Sequence, residues 1–166
     1  MATVPKPVLR RMVWRPLAPD DLAYVAALEA QIHLAPWSYG NFRDTLAAGY
    51  SARVGEREGR IVCYGVLMMA PGEAQLLNLS VVPDARREGL GRELLWQFMR
   101  DAVARHAEQI FLEVRVSNEP AIGLYQSAGF VAIARRDRYY PPRPDGLRED
   151  AIVMRCDLVR DRRIGR

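Results

Sequence analysis

Two stretches of the chain set residue types that can do chemistry at close spacing. The first, Arg86-Arg87-Glu88-Gly89-Leu90-Gly91-Arg92, follows the strand-like run Leu79-Ser80-Val81-Val82 and a proline. Pro83 cannot donate to a ladder, so it closes the strand. Gly89 and Gly91 have no β-carbon, so backbone N–H groups there can approach a ligand closely. A helical repeat begins directly behind them, and its N-terminus adds partial positive charge at the same spot. Together these features describe a nest for a phosphate or pyrophosphate. A Gly-x-Gly alone fits equally a turn that needs positive φ. Two common nucleotide sites are excluded. No Gly-x-x-x-x-Gly-Lys-Ser/Thr is present, and Leu94 stands where the third glycine of a dinucleotide fingerprint belongs.

The second stretch is Phe111-Leu112-Glu113-Val114-Arg115-Val116-Ser117-Asn118. By strand alternation Leu112 and Val114 face one way, Glu113 and Arg115 the other. A Glu in mid-strand is disfavoured, so it needs a reason. A proton acceptor is one; a salt bridge to Arg115 or Arg53 is an equal one on pattern alone. Tyr125, in Ala-Ile-Gly-Leu-Tyr-Gln-Ser-Ala-Gly-Phe, is a candidate proton donor, although periodicity by itself favours core packing.

The elements that must position these residues can be read from period and punctuation. A short strand over 12–17 is followed by a helix opening at Pro19-Asp20-Asp21, with Leu22, Val25, Ala26, Leu28 and Ile32 on its apolar face. Ser38 caps a second helix carrying Phe42, Leu46 and Ala47, which Gly49 stops. Strands over 51–57, 61–69 and 74–82 are joined by Glu58-Gly59-Arg60 and Pro71-Gly72-Glu73, connections short enough for antiparallel hairpins. The helix over 89–106 carries Leu90, Leu94, Leu95, Phe98, Met99, Ala102 and Val103 at a period near 3.6. A strand over 110–116, a helix from Asn118-Glu119-Pro120 to Gly129, and strands over 130–134 and 151–158 complete the chain. The order β-α-α-β-β-β-α-β-α-β-β predicts a mixed α/β sheet, not a doubly wound one.

The bulk composition narrows the class. With 166 residues and 49% hydrophobic content the chain is long and apolar enough for one core. The expected organisation is a leader over 1–11, one domain over 12–158 and a basic tail over 159–166. The net charge is +4 and the cations are almost all Arg, clustered at Arg10 and Arg11, at Arg135, Arg136 and Arg138, and at Arg160, Arg162, Arg163 and Arg166. No aromatic-plus-basic module accompanies them, so solvated segments are favoured over a nucleic-acid surface. Cys63 and Cys156 have no Cys-x-x-Cys spacing and read as buried, reduced thiols. Neither a signal peptide nor a membrane-spanning run is evident, so a cytoplasmic protein is expected. His33 and His106 sit at helix ends without evident partners, which favours a structural reading of both.

Arg-x-x-Gly-x-Gly after a Val-x-Pro strand end, in this element order, resembles the GNAT superfamily of acyl-CoA-dependent N-acetyltransferases. Four further blocks resemble its RimI-type subfamily of ribosomal-protein-alanine N-acetyltransferases. They are His33-Leu34-Ala35-Pro36-Trp37-Ser38, Leu-Glu-Val-Arg-x-x-Asn, Ala-x-x-Leu-Tyr-x-x-x-Gly-Phe, and the segment from Arg135 to Met154. The resemblance implies a GNAT-type fold and acetyl-CoA as co-substrate. Arg86, Arg87, Glu88, Gly89, Leu90, Gly91 and Arg92 would hold the pyrophosphate, Leu79, Ser80 and Val81 the pantetheine arm, and Asn118 a further coenzyme A contact. Glu113 would be the general base and Tyr125 the general acid. Trp37, Tyr139 and Tyr140 would wall the peptide groove. The partner implied is the N-terminus of a small-subunit ribosomal protein, met by a monomer, with no metal, nucleic acid or membrane. Two alternatives are a GNAT enzyme for small amines or lysine side chains and a non-catalytic coenzyme A-binding module. The segment between Tyr140 and Glu149 is slightly longer than the family's, with Pro142, Arg143, Pro144 and Leu147 in unusual places.

Overall fold

The structure, a computed structural model, describes residues 11–158. The leader expected over 1–11 lies outside the described residues but for Arg11, and the basic tail over 159–166 lies wholly outside them. The elements run β1 (Met12–Pro16), α1 (Leu22–Ile32), α2 (Tyr39–Ala47), β2 (Ser51–Arg57), β3 (Arg60–Ala70), β4 (Glu73–Val81), α3 (Leu90–Ala104), β5 (Gln109–Arg115), α4 (Glu119–Ser127), β6 (Val131–Arg136) and β7 (Ala151–Asp157). This is the order read from the sequence.

Local chemistry sets the boundaries. Ser38 accepts the Asn41 N–H at 3.2 Å while the Asn41 side chain accepts the Ser38 N–H at 2.8 Å, a reciprocal cap that starts α2. Asn118 caps α4 by accepting the Ala121 N–H at 3.3 Å. Glu58 and Gly59 both have positive φ (54° and 74°), the twist a two-residue hairpin between β2 and β3 requires.

The strands form one sheet in the order β1-β2-β3-β4-β5-β7-β6. Every pair is antiparallel except β4 and β5, which α3 joins by a crossover. β7 lies between β5 and β6, an insertion that hairpin reasoning about the last two strands does not supply. One face of the sheet packs on α3 through Leu94, Leu95, Phe98, Met99 and Ala102, with Leu112, Val114 and Met154 from the strands. The other packs on α1 and α2 through Leu22, Val25, Phe42, Val54, Tyr64 and Val66.

Gly65 allows α3 to approach β3. A β-carbon there would stand 2.6 Å from the Asn78 carbonyl oxygen and 2.7 Å from Phe98 Cε2. A backbone oxygen cannot swing aside as a flexible side chain can. Gly65→Ala is therefore expected to lose about 1–3 kcal/mol, the usual cost of overpacking, read as a lower urea midpoint at unchanged m-value.

Candidate active site

The site begins with a fork in the sheet. β4 and β5 pair only from Glu73↔Gln109 to Leu76↔Leu112, and then run on without pairing to each other. The cause lies one residue further along. Leu76 faces Leu67 and Asn78 faces Val66, which leaves Leu77 as an extra residue in β4. Such a bulge bends its strand, here at the point where β4 leaves β5. The stretch Asn78–Val81 stays paired to β3 while its other edge is open. An open edge offers backbone donors and acceptors to any ligand that carries amides.

At the far end of β4 the chain turns into the nest. Arg87 and Gly89 both have positive φ (66° and 82°), and Gly89 is the N-cap residue of α3. For Gly89 this conformation costs nothing steric, whereas Arg87 pays for it as a β-carbon-bearing residue. Gly91 is helical, and a β-carbon there would make only ordinary contacts with Val81 and Leu124. Arg86 folds back to donate to the Val81 carbonyl at 3.2 Å.

The two faces of the fork differ. Leu79 and Val81 point toward the α3 core, and so do Leu112 and Val114. Their neighbours Asn78, Ser80, Glu113 and Arg115 therefore point toward the face that carries α1. A cleft of about 700 Å³ is lined from the α3 and α4 side by Gly89, Gly91, Asn118 and Tyr125, and from the α1 side by Ile32 and His33, with Ser80 between. It threads the fork from one face to the other. Leu79, Val81, Arg86, Arg87, Leu90 and Arg92 line it as well. Glu88 does not; its carboxylate turns out to pair with Arg57. Tyr125 is 7% exposed, and burial pushes its hydroxyl pKa up, so it stays protonated at any working pH.

Glu113 lies beyond this cleft. It lines a smaller hollow of about 230 Å³ with Gln75, Phe111 and Arg136, so Glu113 and Tyr125 share no cleft lining. The ion-pair partners considered from sequence were wrong. Arg136 holds Glu113 at 3.0 Å, Arg53 pairs with Asp101 at 2.7 Å, and Arg115 pairs with Glu149 at 3.0 Å. Arg135 likewise meets Asp150 at 2.6 Å, so this arginine cluster is partly paired rather than merely solvated.

The loop between β6 and β7 folds over Glu113. Hydrogen bonding to the Glu113 carboxyl is the main cause that raises the Tyr139 hydroxyl pKa. The Tyr140 ring lies edge-on to Tyr139 at 5.2 Å and takes the Arg115 guanidinium over its face at 4.1 Å. Burial moves the Tyr140 hydroxyl pKa up to about 12. Trp37 is placed differently from these two tyrosines. Its ring packs on Phe42 at 5.2 Å, against the core between α1, α2 and the sheet, and it lines neither cleft.

One cluster went unread in the sequence. Glu29, in the last turn of α1, is 2% exposed. Its carboxyl accepts from Tyr64 Oη at 2.7 Å, from Asn78 Nδ2 at 3.2 Å and from the Trp37 N–H at 3.2 Å. Ser80 Oγ donates to Asn78 Oδ1 at 2.8 Å and stands 2.7 Å from His33 Nε2. His33 thus has partners, contrary to the reading from its helix-end position. The available signal was that Glu29 sits four residues after Val25 and seven after Leu22, on the apolar stripe itself.

A forked mixed sheet with a glycine-containing turn at one mouth and a protonated tyrosine in the cleft is open to a ligand that carries both anionic and amide groups. The profile of the acetyltransferase (GNAT) family matches residues 16–130, and the chain belongs to that family. Within it, the chain is 37% identical over 138 residues to the [ribosomal protein bS18]-alanine N-acetyltransferase of Escherichia coli K12, covering 83% of this chain and 92% of that one. It is 35% identical over 135 residues to the enzyme of the same name from Haemophilus ducreyi, covering 81% and 92%. The crystal structure of the ribosomal-protein-S18-alanine N-acetyltransferase from Escherichia coli superposes with a TM-score of 0.83 at 34% identity, over 89% of this chain and 94% of that one.

Proposed function

We propose that the protein transfers the acetyl group of acetyl-CoA to the α-amine of a protein N-terminus, the N-terminal alanine of ribosomal protein bS18. The observation that carries this reading is the cleft through the fork, with the nest at one mouth and Tyr125 in its lining, and with Glu113 in a separate hollow on the α1 face. The pyrophosphate would sit on the backbone N–H groups of residues 86–92, the pantetheine arm along the open edge of Leu79–Val81, and Asn118 beside it. The thioester then lies in the gap, open to attack from the α1 face. The names borne by the relatives support the ribosomal substrate, and a ribosomal substrate is in keeping with a cytoplasmic enzyme.

The chemistry is addition to the thioester carbonyl and loss of the thiolate. The amine nitrogen forms the new N–C bond, the C–S bond breaks, and the carbonyl oxygen carries the transient negative charge. A backbone N–H on the open edge of β4, around Ser80–Val81, would receive that charge. Glu113 takes a proton from the ammonium, directly or through a water, and Tyr125 protonates the departing thiolate. A protein N-terminus has a pKa of about 7.7–8.0 and gives up its proton to such a base readily, whereas a lysine at about 10.4 does not. Tyr139 and Tyr140, stacked between arginines over Glu113, would form the wall against which the first residues of the peptide lie.

The test is acetyl transfer to a peptide carrying the bS18 N-terminus, with the product mapped by mass spectrometry. Acetyl on the terminal amine, absent from internal lysines and polyamines, is the expected result. Turnover with polyamines or lysines alone would replace this substrate class. Tight acetyl-CoA binding without turnover of any amine would make the protein a binding module.

A further inference from the structure

The reaction proposed above removes two protons from the attacking amine and returns one to sulfur. One must leave before attack, because an ammonium has no lone pair; the other must leave once the N–C bond has formed. A single acceptor would have to empty itself between the two steps. The α1 face of the fork holds a second candidate.

His33 caps α1 at its C-terminal end, lines the cleft, and meets β4 at Ser80. The polar cluster behind it fixes its proton. Glu29 is filled with donors from Tyr64, Asn78 and the Trp37 backbone. Asn78 gives its amide N–H groups to Glu29, so its Oδ1 is the end that accepts the Ser80 hydroxyl proton. Tyr64 Oη is a second acceptor for that proton, so His33 Nε2, 2.7 Å from Ser80 Oγ and 3.5 Å from the Glu29 carboxylate, is the nitrogen that donates into the cluster. The imidazole is therefore the Nε2–H tautomer, and Nδ1 keeps its lone pair with no donor to it among the described residues.

We propose that His33 is a second proton acceptor for the incoming amine, set beside β4 across the fork from Glu113 of β5, on the same α1 face, and held in its basic tautomer by Ser80, Asn78 and the buried Glu29. The inference rests on the acetyl transfer proposed above. An N–H bond of the amine breaks, its electron pair stays on nitrogen, and the proton goes to Nδ1. The side chain is 38% exposed, so the proton leaves from there to solvent.

The charged and titratable groups around His33 define its working range. Desolvation lowers its pKa from 6.5, Arg86 from the nest and Arg115 from β5 push in the same direction, and Glu29 from α1 opposes them. Among the described residues Tyr64 of β3 meets the same Glu29 and Ser80, and Tyr125 of α4 lines the same cleft; burial raises the pKa of both, so they remain neutral. A neutral imidazole at pH 7 is an acceptor from the start; a depressed pKa also makes it release the proton quickly.

The test uses His33→Gln, which can still donate to Ser80, and His33→Ala, with kcat followed from acid to alkaline pH on the full chain. Both variants should bind acetyl-CoA like wild type by calorimetry and lose about 10²-fold in kcat, the low end for one positioned base. Added imidazole should restore turnover to His33→Ala in proportion to its unprotonated fraction. Long-range nitrogen–proton NMR of the wild-type ring should place the proton on Nε2. An unchanged kcat profile in His33→Gln, or a proton found on Nδ1, overturns the role of His33 and leaves the acetyl transfer standing. A wild-type protein that acetylates no amine removes the acetyl transfer and the role of His33 together.

Discussion

Glu113→Gln should lower kcat for peptide acetylation by about 10²–10⁴-fold, the usual contribution of a positioned base, while acetyl-CoA binds as before. The separation follows from geometry. The nest and the open edge of β4 line one cleft, and Glu113 lines a separate hollow. Glutamine keeps the size and one acceptor oxygen, but it cannot take a proton. Stability should hardly move, because the Arg136 partner is 56% exposed and such pairs contribute at most about 1 kcal/mol. Releasing Arg136 places an unpaired cation near the approach of an ammonium, so KM for the peptide should rise as well. Steady-state kinetics with peptide and acetyl-CoA varied separately would show both effects. A wild-type kcat would mean that Glu113 serves only to hold Arg136 and Tyr139, and would leave His33 as the acceptor to pursue.

Glu29→Ala should do the reverse and unfold the protein more easily. It strips the acceptor from Tyr64 Oη and Asn78 Nδ2, and each buried donor left unsatisfied costs about 1–3 kcal/mol. A total of about 2–5 kcal/mol is expected once the vacated volume is partly filled. In a chain of this length that lowers Tm by very roughly 5–15 °C. Glu29→Gln should fall between wild type and alanine. Its amide oxygen still accepts from one donor, while its NH2 confronts the other. Thermal or urea unfolding of the three proteins, with acetyl-CoA turnover measured below the transition, would show the order. A loss under about 0.5 kcal/mol in Glu29→Ala would mean that water satisfies Tyr64 and Asn78, and that the cluster does not anchor α1 to the sheet.

The two substitutions illustrate how differently the two carboxyls could be read. Glu113 stood out because it interrupts an apolar strand, and its place in the chain was enough to single it out. Glu29 was passed over because a helix can carry a charge anywhere on its surface, and its burial depends on Tyr64 and Asn78, 35 and 49 residues away. The loop residues Tyr139 and Tyr140 stand out in the sequence as paired tyrosines in a long loop. Their contacts with Arg115, Arg136 and Glu113 arise from the folding of the loop over β5.

The sequence alone determined the order of strands and helices, the β2–β3–β4 hairpins and the nest before α3. These rest on local causes: hydrophobic period, caps, and glycine at positive φ act over a few neighbouring residues. Only the tertiary structure decided where β4 parts from β5, that β7 slips between β5 and β6, and that Arg136 rather than Arg115 or Arg53 holds Glu113. It also decided that His33 stands against Ser80 above a buried carboxyl. Each of these is a choice among partners distant in the chain, made by which side chains the packed sheet brings within hydrogen-bonding reach, and no local pattern encodes that choice.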